Sequence, residues 1–67
     1  MIAKFVPMFF NSLTIEQMQR IEYRAIHTNN YTMRTNLRKA SHGDTIAQRE
    51  VMEVVSKDPT WIEKKSE

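Results

Sequence analysis

The 67-residue chain has no cysteine, one glycine and two prolines. Without cysteine there is no disulfide framework and no thiolate metal site. With so little glycine and proline, a β-sandwich or small barrel is excluded, because each needs a turn signal every few residues. No stretch approaches the roughly 18 apolar residues of a membrane span. There is no G-x-S-x-G elbow and no glycine-rich phosphate loop, so neither nucleophilic hydrolysis nor nucleotide binding is signalled. His27 and His42 stand fifteen residues apart with no carboxylate at a ligand spacing, so no metal is expected. No cofactor is expected either. A helical domain this small has little room for a walled active site, which points away from an enzyme.

What is present suits helices. The chain is 40% apolar and 27% charged, which is ordinary for a helical domain and too apolar for disorder. A chain of this length buries only roughly 60% of its unfolded surface and depends on helix packing or a partner. The expectation is an all-α fold: one small three-helix domain over residues 1–67. It divides into an apolar N-terminal arm (1–10), a helical core (14–57), and a short C-terminal helical turn with a frayed tail (58–67).

Helix boundaries follow from local chemistry. Thr14 and Gln17 fit a capping box, and Leu13 with Met18 fits a hydrophobic staple around the same start. Ile15, Met18, Ile21, Ala25 and Ile26 then form an apolar stripe, which predicts a helix over 15–28. Glu16 and Arg20 stand four apart in the favourable order. Asparagine tolerates the left-handed conformation, so Asn29 and Asn30 suit its end. Met33, Leu37 and Ala40 mark a second helix that stops at Gly43. Asp44 caps a third that runs to about Lys57, buries Ala47, Val51, Val54 and Val55, and holds Ile46 and Met52 at its margins. Asp58 and Pro59 end it and begin a last turn, from which Trp61 and Ile62 fold back on the core.

Charge is unevenly spread. No acidic residue lies between Glu22 and Asp44, and Arg24, Arg34, Arg38 and Lys39 give that stretch a formal +4. Residues 44–67 sum to −2, so the net +2 conceals a basic centre and an acidic last third. Arg34 and Arg38 share one helix face, away from Met33 and Leu37. Ser41, His42, Gly43 and Asp44 join two helices as a helix-turn-helix would. The DNA-reading pattern nevertheless fails at Lys39, where a small residue belongs, and at Arg49, where an aliphatic one belongs.

The first ten residues hold eight apolar residues and all three phenylalanines of the chain. An arm this apolar either completes the core or docks elsewhere. Its unbroken apolar run is six residues long, contains Pro7 and precedes no small-residue cleavage site, so it does not read as a signal peptide, and a cytoplasmic location is expected. Pro7 divides it. Phe9 and Phe10 are expected to pack near Leu13, leaving the segment with Lys4, Phe5 and Val6 to meet a partner. The candidate partner-binding residues are therefore Lys4, Phe5, Val6, Arg24, Arg34, Arg38 and Lys39. The first reading is a non-enzymatic regulator that binds a larger protein and blocks a surface. The alternative is a nucleic-acid-binding transcriptional regulator that uses the basic central helix.

With this arm and basic centre, the chain resembles small phage-encoded regulators that bind host RNA polymerase, which are likewise short, cysteine-free and lightly basic. The resemblance is one of overall build across the whole chain. It implies RNA polymerase as partner, interference with σ-factor-dependent initiation, altered termination, and a site of action in the host cytoplasm.

Overall fold

The computed structural model describes residues 9–63. Three helices follow one another: α1 (Ile15–His27), α2 (Tyr31–Ser41) and α3 (Thr45–Lys57). A 3₁₀ turn at Phe10–Ser12 precedes them and another at Pro59–Trp61 follows. The described residues contain no strand, and the expected all-α three-helix architecture is what the chain adopts.

Each helix starts where a side chain satisfies its free N–H groups. At α1 the Thr14 N–H donates to Gln17 Oε1 (2.8 Å) and the Gln17 N–H donates to Thr14 Oγ1 (3.1 Å), the reciprocal capping box. Asn30 Oδ1 accepts from the Met33 N–H at 3.0 Å, so Asn30 begins α2 rather than merely ending α1. Asp44 Oδ1 accepts from the N–H groups of Ile46 and Ala47 and starts α3. The connections need left-handed backbone. Asn29 (φ 57°) supplies it after α1, and Gly43 (φ 101°) supplies it after α2.

The core is built from all three helices and both flanking turns. Ile21, Val51 and Val55 are fully buried, with Ala25, Met33, Leu37, Ala40, Ala47 and Met52 around them. The middle helix, α2, packs on both α1 and α3. The C-terminal turn touches α1 and α3 and brings Trp61 and Ile62 into the core, as expected. Phe10 and Leu13, ahead of α1, join the same core, with Met18 half-buried against the cluster. Burying a side chain of this size contributes roughly 1.5–3 kcal/mol. A flank of two or three such residues therefore matters in a domain whose net stability is about 5–15 kcal/mol.

Several expected core residues lie outside. Phe9 is 66% exposed while Phe10 is buried, because Phe9 precedes the turn in extended backbone and its side chain points away. Ile15 is 72% exposed despite its place on the stripe. It is the first residue of α1, at the end of the helix, whereas Ile21 and Ala25 lie further along it and are fully buried. Ile26 and Val54 are also exposed, whereas Met52, expected at a margin, is buried. The tail at 64–67 and the expected joint at Pro7 lie outside the described residues.

Candidate partner-binding groove

The candidate residues separate into distinct environments. Lys4, Phe5 and Val6 lie outside the described residues. Arg24 is engaged internally. Its Nη1 donates to Thr60 Oγ1 (2.7 Å), its Nη2 meets Asp58 Oδ2 (3.3 Å), and its guanidinium lies 4.2 Å from the Trp61 ring centroid. Arg24 therefore fastens the C-terminal turn to α1, and the expected grouping of Arg24 with Arg34 and Arg38 does not form. The reason is a long-range contact: the chain beyond Lys57 crosses α1 with an acceptor, a hydroxyl and an aromatic face within reach of this one side chain.

Asp58 is the centre of that fastening. The Thr60 hydroxyl donates to its Oδ1, and the Thr60 N–H donates to the same oxygen at 3.2 Å. These bonds, the hydroxyl's above all, hold the carboxyl below its ordinary value against the opposing effect of desolvation, and Arg24 lowers it further. Arg20 acts in parallel, donating from Nη1 to the Ile62 carbonyl at 2.9 Å. Its Nη2 keeps the expected pairing with Glu16 at 3.5 Å.

Arg34 and Arg38 stand elsewhere. Both line a groove of about 430 Å³ between α1 and α2. Met18 and Leu37 contribute apolar lining and Glu22 comes from α1. Ile15 and Tyr31, 72% and 70% exposed, belong to the same lining. Neither arginine forms an ion pair or side-chain hydrogen bond among the described residues. Large apolar side chains beside these guanidiniums make an amphipathic surface. Ile15 escaped the sequence reading because its helical spacing assigned it to the core. Tyr31 follows the Asn30 cap as the first residue of α2, and no motif marks it.

Lys39 lies around the helix from this groove. With Arg38, His42 and Asp44 it lines a shallow cleft at the α2–α3 turn, so Arg38 belongs to both surfaces. His27 stacks on Tyr23, with ring centroids 4.1 Å apart and planes tilted by 38°. Among the described residues there is no group of three metal-ligating side chains, no buried polar side chain left without a hydrogen bond, and no helix long and apolar enough to cross a membrane.

No protein-family model, curated protein or solved structure matches this chain. The function therefore has to be argued from the residues and their arrangement.

Proposed function

We propose that this chain is a non-enzymatic protein-binding regulator that acts by occupying a surface of a larger partner. One observation carries the reading: Arg34 and Arg38, without partners among the described residues, share a groove with exposed Ile15 and Tyr31. Guanidiniums give orientation and fast encounter with an acidic surface, and the apolar side chains give the area that holds it. No charged or polar residue is buried among the described residues. The Asp58 carboxyl, held below its ordinary value, belongs to the C-terminal fastening and not to the groove.

The resemblance in build to phage-encoded regulators makes bacterial RNA polymerase the partner to test, with initiation or termination as the step affected. The purified chain should bind the polymerase directly, and Arg34→Glu with Arg38→Glu should weaken binding at least ~10-fold with helicity unchanged. Removing residues 1–6 tests the apolar arm separately: lost binding in a folded protein supports a docking role. No binding to core polymerase or holoenzyme by the intact chain would refute polymerase as the partner.

The second reading, nucleic-acid binding, draws on the basic surface that runs from Arg34 through Arg38 to Lys39 and His42. A helix-turn-helix protein puts its second helix in the major groove. Here that helix would be α3, whose exposed residues include Glu50 and Glu53 beside Arg49 and Lys57. Two carboxylates against phosphate disfavour this use. Random DNA and RNA at low salt decide it: binding that falls steeply with added salt would favour this reading, and no binding would end it.

A further inference from the structure

The outward side of α3 carries the chemistry that complements the α1/α2 groove. Ile46, Glu50, Glu53 and Val54 are spaced four, then three, then one residue apart, which places them along one side of the helix. The core takes the other side, through Ala47, Val51, Met52 and Val55. Ile46 is 73% exposed, and Glu50 and Glu53 form no ion pair among the described residues. Arg49 lies on the neighbouring strip, and with Glu53 and Lys57 it lines the cleft beside Phe9. From Ile46 to Glu53 the outward strip is therefore apolar and acidic, with two carboxylates about one turn apart, and Lys57 follows on the same side one turn beyond Glu53 at the end of the helix. The groove is apolar and basic along α2, with two guanidiniums one turn apart there and Glu22 on its α1 wall.

We propose that copies of this chain associate head to tail, with the Ile46, Glu50 and Glu53 strip of one copy seated in the α1/α2 groove of the next. The carboxylates face Arg34 and Arg38, and Ile46 adds apolar contact beside Ile15 and Tyr31. The concealed charge asymmetry of the chain then acts between molecules: the basic centre of one copy meets the acidic last third of another. The two surfaces lie on different helices, so the contact is heterologous and extends from copy to copy unless a ring closes. One helix in one groove is a small interface, at the weak end of specific complexes. Its charges are exposed, so it is sensitive to salt. The inference uses the same groove as the reading above but stands without the larger partner. If both hold, self-association and partner binding compete.

Sedimentation of the intact chain at rising concentration tests it. At low salt the average mass should climb above the 8.0 kDa monomer, and about 1 M salt should return it to monomer. Arg34→Glu with Arg38→Glu should be monomeric, and so should Glu50→Lys with Glu53→Lys, each with unchanged helical circular dichroism. An equimolar mixture of the two variants should associate again, because every contact between unlike variants then pairs opposite charges. A wild type that stays monomeric at low salt overturns the proposal, and so does a mixture that fails to associate. The Glu50→Lys, Glu53→Lys variant keeps the groove intact. Its capture of RNA polymerase is therefore read independently, and loss of one interaction is not mistaken for loss of the other.

Discussion

Two pairs of arginines, each four residues apart on a helix, end in opposite circumstances. Arg20 and Arg24 on α1 are both bonded to the C-terminal segment, through Ile62, Thr60 and Asp58, and Arg24 also stacks on Trp61. Arg34 and Arg38 on α2 have the same spacing and charge, yet among the described residues nothing holds them. What differs is the chain that passes over each helix. From Asp58 onward it crosses α1 and engages its guanidiniums as structural clamps, whereas the α1/α2 groove that holds Arg34 and Arg38 is left open among the described residues. A basic pair is thus open to a partner only where no later segment comes to meet it.

Breaking the clamped side should have the larger effect on folding. Trp61→Ala removes a buried aromatic that touches both α1 and α3 through its turn, and should cost about 3–5 kcal/mol, read as a fall in Tm or denaturant midpoint. A loss below about 1 kcal/mol would show that the turn is an appendage. Arg24→Ala should cost about 1–2 kcal/mol through its hydrogen bonds and its stacking on Trp61. A double-mutant cycle with Trp61→Ala should show coupling of roughly 0.5–1 kcal/mol. On the open side, Arg34→Ala and Arg38→Ala should each change stability by less than about 0.5 kcal/mol. Equal costs for Arg24 and Arg38 would erase the distinction between the pairs.

Helix boundaries were legible in the sequence because caps are local. Thr14, Gln17, Asp44 and Asp58 need only their near neighbours to act, and each acts as its chemistry dictates. Trp61 was legible as a latch because Pro59 turns the chain and an exposed tryptophan is costly. Exposure was less legible. Ile15 and Ile26 have core-like spacing, but three helices and a short turn cover only part of the circumference of α1. The division of the basic residues was not legible at all. It depends on contacts between residues 34 and 36 positions apart, Arg24 with Asp58 and Arg24 with Thr60, and no local pattern announces them.

The smallest expected effect sharpens the contrast by pH. Asp58 titrates below its ordinary value of 3.8 in the folded chain, chiefly through the Thr60 hydroxyl, with help from the Thr60 N–H and from Arg24. A depressed carboxyl stabilises the fold fully above its ordinary value, and that contribution is lost as pH falls through the lower folded value. The fastening of the turn should therefore hold at neutral pH and loosen only in strong acid, seen as a change in Trp61 fluorescence below about pH 4. Thr60→Val removes the largest cause of the depression, so the acid transition should begin at higher pH and move toward the ordinary carboxylate value. Arg24→Ala should move it in the same direction by less. Arg34→Ala and Arg38→Ala should leave it in place, because neither arginine faces Asp58. If the groove variants shifted the Trp61 transition as far as Thr60→Val, the two arginine pairs would be electrostatically joined, and the open groove would lose its separate standing as a surface for binding.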